Sequence, residues 1–218
     1  MRFVSVGCSI TYGEGLPDCI SDNLKWAGPT PSNLSWASLL SKRYNAPLIN
    51  LSIPGASNFY IFNKVVDFDW QPGDIALLLF TFYHRYTIFD DGILPHNITP
   101  HDVNVKSKMH RAKVFYDLFD DHHLALNDRL SIDSSFYCLS HHNVPFASRF
   151  INLPQQQQYL KHTKVKDKQW ISHISKTPFF EFQVDQGLDL GGHPGPKTHE
   201  LFANSLIQDI DDIVNMRE

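Results

Sequence analysis

Gln71-Pro72-Gly73-Asp74-Ile75-Ala76-Leu77-Leu78-Leu79-Phe80 reads as a turn that opens into a continuous apolar run. Proline and glycine punctuate the chain. A short apolar run without alternation, bounded by such a turn, is what a strand covered on both faces of a parallel sheet requires. Working upstream, Ile61, Phe62, Val65 and Val66 fall on one helical face, and residues 47–52 (PLINLS) form a short strand that closes at Ile53-Pro54-Gly55. Before it, Trp36, Leu39, Leu40 and Tyr44 again have helical spacing. A polar, proline-rich stretch over residues 13–33 separates that helix from residues 2–6 (RFVSV), a strand that runs into Gly7.

Downstream, apolar positions over residues 106–141 predict two helices or one bent helix, with the interruption at Asp120-Asp121. Val144-Pro145-Phe146-Ala147 follows as a fourth strand, and residues 197–214 close the chain as one helix. Strands that alternate with helices imply a central parallel sheet with helices over both faces, an α/β architecture of three α/β/α layers. Ligands of such sheets sit beyond the carboxyl ends of the strands. That directs attention to residues 7–11, 53–58, 81–85 and the segment after 185.

Composition narrows the function classes. With 218 residues, 42% of them hydrophobic, the chain suffices for one domain over residues 1–218. A formal charge of −4, with no run of Lys or Arg, gives no footprint for nucleic acid or for an anionic membrane. No apolar run approaches the roughly 20 residues needed to span a bilayer. The 12 His lack metal-ligand spacing, so no metal is expected; no organic cofactor is expected either. Three cysteines without a CxxC pattern, and a start at Met1 without a signal-peptide core, fit a reducing, cytoplasmic setting. The oligomeric state is not legible.

Two segments carry candidate chemistry. Gly7-Cys8-Ser9-Ile10-Thr11 places a serine in the turn after the first strand. A serine hydroxyl is a weak nucleophile and needs a base and oxyanion donors from elsewhere in the chain. Asp189-Leu190-Gly191-Gly192-His193-Pro194 sets a carboxylate and an imidazole four residues apart across flexible glycines. That spacing lets Asp189 hold one ring nitrogen of His193 while the other faces Ser9.

GCSIT at 7–11 together with HPGPKTH at 193–199 resembles the SGNH (GDSL-like) hydrolase superfamily of esterases and lipases. The resemblance implies a flavodoxin-like three-layer α/β/α fold, Ser9 as nucleophile, His193 as base and His199 as a non-catalytic companion. Asn50-Leu51-Ser52-Ile53-Pro54-Gly55-Ala56-Ser57-Asn58 is similar to the superfamily's second block, whose glycine, here Gly55, supplies an oxyanion N–H beside that of Ser9. Residues 90–180 add almost nothing to the resemblance and are expected to be a variable segment.

Three positions depart from the pattern. Cys8 stands where an Asp is usual. Asp189 lies four residues before His193 instead of three, which leaves Asp185 as a rival orienter. After the central strand the usual Gly-x-Asn-Asp is replaced by Thr81-Phe82-Tyr83-His84-Arg85. The missing Asn leaves Thr81 or Asn58 as the substitute donor.

The expected activity is cleavage of a carboxylic ester of a small molecule or carbohydrate through Ser9, His193 and Asp189. The alternative is a weak or inactive module of the same fold that binds a carbohydrate or acyl ligand. A nucleotide or flavin binder would need a phosphate-cradling loop, and neither GxGxxG nor a Walker lysine motif occurs. Phe115, Tyr116, Phe136, Trp170, Phe179 and Phe180 read mainly as core packing.

Overall fold

The computed structural model describes residues 1–20, 27–89, 96–106, 108–163, 175–189 and 191–216. Four parallel strands form the central sheet: β1 (Arg2–Val6), β2 (Leu48–Asn50), β3 (Asp74–Phe80) and β6 (Phe146–Phe150). Their order is β2-β1-β3-β6. The register pairs Phe3 with Leu48 and Ile75, and Ala76 with Phe146.

The apolar run of β3 is buried at every position, and its alternation explains the layers. Ile75, Leu77 and Leu79 point into one core with Trp36, Leu40, Phe202, Ile210 and Ile213. Ala76, Leu78 and Phe80 point into the opposite core with Ile61, Val65, Ile132, Phe136 and Leu139. Each fully buried Leu or Phe contributes about 1.5–3 kcal/mol relative to exposure, so the central strand binds both helical layers to the sheet.

On the first face lie α2 (Trp36–Arg43) and the two C-terminal helices; on the second lie α3 (Asn58–Asp67) and α5 (Asp121–His141). A single turn, α1 (Ser9–Tyr12), precedes α2. Ser35 and Ser57 cap α2 and α3 by accepting from Ser38 N and Tyr60 N. The stretch over 106–141 is two helices, α4 (Met109–Leu118) and α5, and Asp120 starts the second by accepting from His123 N at 2.9 Å. α6 (Leu153–His162) follows β6.

Two expectations change in detail. The fourth strand begins at Phe146, not Val144, because Pro145 has no N–H and contributes only its carbonyl, which accepts from Ala76 N at 3.0 Å. The C-terminal helix is interrupted at Leu206 into α7 (Pro196–Ser205) and α8 (Ile207–Asn215). At Leu206 ψ opens to −9°, which bends the path so that Phe202 on one side and Ile210 and Ile213 on the other all reach the same core.

A small cap, unforeseen in the sequence, lies over the carboxyl end of the sheet. An antiparallel hairpin, β4 (Tyr86–Ile88) with β5 (His96–Ile98), is followed by a 3₁₀ turn (Pro100–Asn104) and α4. It has its own core of Ile98, Ala112, Phe115 and Leu124, with Tyr86 and Phe119 packed against it. Phe115 belongs to this cap, whereas Phe136 and Phe179 are in the main cores; Trp170 lies outside the described residues. Among the described residues no helix is long and apolar enough to cross a membrane.

Candidate active site

From β1 the chain continues to β2 on one side of the sheet, and the later β3 lies on the other, so the boundary between β1 and β3 is the switch point where a crevice opens beyond the strand ends. Ser9 follows β1 as the first residue of α1, and residues 81–85 follow β3. A cavity of about 790 Å³ opens there, and its wall includes Ser9, Glu14, Gly55, Arg85 and His193 together with Asn97 from the cap. Ser9 and His193, 184 residues apart in sequence, thus face one space.

Cys8 is fully buried in the core beneath Ser9, an environment that suits a thiol and in which a carboxylate would be costly. The Ser9 carbonyl accepts from Gly13 N at 2.8 Å and Glu14 N at 2.9 Å, which closes the single turn and brings the Glu14 side chain back to the site.

The loop before α7 is laced to the first loop. Gly187 N donates to His193 O at 2.6 Å, and Leu188 N donates to Gly15 O at 2.8 Å. Gly15 has φ +85°, and a Cβ there would come within 2.5 Å of Asp189 Oδ1, so both its backbone and its missing side chain are needed. In this frame Asp189 Oδ2 lies 2.7 Å from His193 Nδ1 and also accepts from Gly191 N at 2.9 Å. Burial works to raise the Asp189 carboxyl, but the hydrogen bonds and charge of His193 and the Gly191 amide outweigh it and hold the group below its usual range.

Asp185 does other work. Its carboxylate accepts from Thr198 Oγ1 at 2.6 Å, Thr198 N at 2.8 Å and Lys197 N at 2.9 Å, which caps α7. Of the two rival carboxylates, only Asp189 contacts the imidazole of His193. His199 lies fully buried with Nδ1 accepting from Trp36 N at 3.1 Å, and burial lowers it to about 3, so it stays neutral and packs α7 against α2.

The second ring nitrogen of His193 has a neighbour that the sequence did not single out. Nε2 lies 3.6 Å from Glu14 Oε2. Burial raises the Glu14 carboxyl, with the attraction of His193 only partly opposing it. His193 therefore sits between two carboxylates, one on each nitrogen.

Gly55 lies on the cavity wall at φ +75°, and its turn is clamped from the cap. Asn97 Nδ2 donates to Pro54 O at 2.8 Å, Thr87 Oγ1 donates to Asn97 Oδ1 at 2.8 Å, and Ser57 Oγ lies 2.7 Å from Thr87 Oγ1. Asn50 ties the same block to α1, donating to Thr11 O at 3.0 Å.

Thr81 and Asn58 are close to each other but are not on this wall. Asn58 Oδ1 accepts from Thr81 N at 2.8 Å, and Asn58 Nδ2 donates to Thr81 O at 3.0 Å and to Asp128. Thr81 is fully buried, and its Oγ1 accepts from Arg85 Nη1 at 3.1 Å. Gln155 completes the arrangement: its Nε2 donates to Asp128 Oδ2 at 2.5 Å and its Oε1 accepts from Tyr83 N at 2.7 Å. Both amides are oriented by backbone N–H groups, so both present N–H to the buried Asp128. Burial pushes that carboxyl up to about 7, against the two donors.

Arg85 is the member of this segment on the wall. Lys108 and Arg111 from the cap line the same cavity, and scattered cations in a loop and a helix carry no sequence signal for that role. Among the described residues no cluster of three or more His, Cys, Asp or Glu side chains is placed to hold a metal ion.

No protein-family profile and no curated protein matches the chain. Solved structures do. An acetyl xylan esterase, Est2A, from the rumen bacterium Butyrivibrio proteoclasticus aligns over 98% of this chain and 64% of its own, with TM-score 0.61 and 16% identity. A carbohydrate esterase family 2 enzyme with a carbohydrate-binding domain, from Corynascus thermopiles (Myceliophthora fergusii), gives TM-score 0.59 at 12% identity over 98% and 67%. The psychrotrophic esterase EstA from Pseudoalteromonas sp. gives 0.53 at 11% over 99% and 100%. The chain spans slightly less than two thirds of the length of Est2A. At these identities the likeness is one of architecture, and the chain has a three-layer α/β/α fold like that of these esterases.

Proposed function

We propose that this protein is a serine hydrolase that cleaves a carboxylic ester, with Ser9 as nucleophile, His193 as general base and Asp189 as the group that orients it. The observation that carries the proposal is a contact within one cavity. His193 is held through Nδ1 by Asp189 at 2.7 Å on the wall that also contains Ser9 and Gly55.

In the reaction, His193 Nε2 takes the Ser9 Oγ proton as Oγ bonds to the ester carbonyl carbon, and the carbonyl π pair moves to its oxygen. The backbone N–H groups of Ser9 and Gly55 donate to that oxyanion. Collapse of the intermediate breaks the bond to the alcohol oxygen, which takes the proton from Nε2 and leaves an acyl-Ser9. Water, deprotonated by the same nitrogen, repeats the sequence and releases the acid. Asp189 keeps its charge throughout and stabilises the imidazolium. A carbohydrate ester is the favoured substrate class, supported by the architecture shared with an acetyl xylan esterase and another carbohydrate esterase.

A second reading has a specific observation in its favour. Glu14 lies against Nε2, the nitrogen that must accept the Ser9 proton, as expected of a carbohydrate-binding module of this fold with hydrolysis suppressed. A fluorophosphonate probe separates the two. The hydrolase reading expects labelling of the wild type and none of Ser9→Ala, with turnover of p-nitrophenyl acetate or an acetylated oligosaccharide. Ser9→Ala and His193→Ala should each remove nearly all turnover, and the double variant should be little worse than either. An unlabelled wild type that binds the oligosaccharide without cleaving it would establish the module.

A further inference from the structure

The oxyanion hole of the proposed hydrolase has two backbone donors and a vacant role for a side chain after the central strand, where neither sequence candidate reaches the cavity. Asn58 has two amide hydrogens; one goes to Thr81 O and the other to Asp128. Its oxygen is spent on Thr81 N, so the amide cannot turn round without losing that bond. Thr81 is fully buried, and its hydroxyl faces Arg85.

What this machinery does is aim Arg85. The backbone of residues 81–85 is held at Thr81 N by Asn58, at Tyr83 N by Gln155, and at Arg85 N by the Phe82 carbonyl at 3.2 Å. Asp128, accepting from both amides, fixes the two clasps together. The guanidinium is then fixed twice more, by its bond to Thr81 Oγ1 at 3.1 Å and by the Phe82 ring, whose centroid lies 4.8 Å from Arg85 Cζ. Among the described residues no carboxylate pairs with Arg85 within 4.0 Å. A guanidinium has five N–H donors, and Thr81 uses one. The remaining donors belong to a side chain that shares its cavity wall with Ser9, Gly55 and His193.

We propose that Arg85 is the third oxyanion donor of this enzyme: its guanidinium donates to the ester carbonyl oxygen as attack by Ser9 makes that oxygen anionic, beside the N–H groups of Ser9 and Gly55. The inference rests on the hydrolase reading. A preorganised cation serves this role because its attraction grows as charge develops, which lowers the barrier without tightening ground-state binding of a neutral ester. Charge-assisted hydrogen bonds are also stronger than those of the neutral amide they replace here.

The test is steady-state kinetics of Arg85→Lys, Arg85→Met and Arg85→Gly on p-nitrophenyl acetate and on mono-p-nitrophenyl succinate, which carries a carboxylate. Arg85→Met and Arg85→Gly should lose about 100- to 1000-fold in kcat on the neutral ester, with KM little changed, and Ser9 labelling should slow in parallel. Added guanidinium should restore part of the activity of Arg85→Gly, whereas equal sodium chloride should not; a merely structural role would not respond. Thermal melts identify a variant that fails to fold, in which case the Lys variant decides by retaining partial turnover. Unchanged kcat on the acetate, with KM raised only for the succinate, would overturn the proposal by making Arg85 an anchor for substrate charge. If the wild type is neither labelled nor active, the hydrolase reading itself falls and this inference with it.

Discussion

Replacing Asp128 by asparagine tests the clasp behind the cavity and yields a sign as well as a magnitude. Asp128 is buried and is contacted by two amides, Asn58 and Gln155, each turned by a backbone N–H so that its NH₂ faces the carboxyl. An Asn at 128 must point its own NH₂ at one of them. A protonated carboxyl keeps an acceptor lone pair on each oxygen, whereas an amide nitrogen has none. The variant therefore loses one hydrogen bond to an unsatisfied donor pair, at about 1–3 kcal/mol. The second contribution depends on pH. Burial raises Asp128 from 3.8 to about 7, so between those values the folded protein holds a proton that the unfolded chain has released. Wild-type stability contributed by this group is full below 3.8 and falls as pH rises toward 7, by up to roughly 1.4 kcal/mol for each pH unit. Over the whole window the loss approaches about 4 kcal/mol, and Asp128→Asn, neutral at every pH, escapes it. Urea melts of both proteins at about pH 4.5 and about pH 8 should find the variant less stable at the lower pH. That deficit should close or reverse at the higher. Equal deficits at both pH values, or one that grows with pH, would refute a carboxyl held above its usual range.

Other perturbations address the site directly. Asp189→Asn, with its NH₂ turned to His193 Nδ1, imposes the wrong tautomer and leaves Gly191 N without its acceptor, so ester turnover should fall by about 10⁴ with a smaller drop in melting temperature; a loss of less than tenfold would remove Asp189 from its role. Gly15→Ala puts a methyl 2.5 Å from Asp189 Oδ1 at a backbone φ of +85°, so it should destabilise the protein by about 1 kcal/mol or more and lower kcat as well; wild-type kcat in a folded variant would argue that this loop does not position Asp189. Glu14→Gln removes the carboxylate that competes with Ser9 for Nε2 of His193, so fluorophosphonate labelling of Ser9 should accelerate, and slower labelling would mean that Glu14 assists the chemistry.

Much of the fold was legible because its signals are local. The unbroken apolar run of 75–80, opened by a Pro-Gly turn, matches a strand covered on both faces, and the spacing at 36–44 and 61–66 marked two helices, although only the structure assigned each to its face. The cap was not legible, because its strands Tyr86–Ile88 and His96–Ile98 are too short for an alternation to register, and its small core is assembled from residues as distant as Ile98 and Leu124. The break at Leu206 was equally hidden, since a one-residue bend leaves the helical period of the sequence nearly unchanged.

The same division runs through the site. Sequence by itself determined the position of Ser9 after β1, and the pairing of Asp189 with His193 as one candidate, since four residues of glycine-rich loop bring such groups within reach. Tertiary structure decided against Asp185, whose carboxylate is taken by the N–H groups that begin α7. It also decided which group after β3 faces the cavity, because the direction of the Asn58 amide depends on Asp128, 70 residues away, and on Thr81. Donors and acceptors are directional, and a sequence records which groups exist but not which way each is turned by partners from other layers.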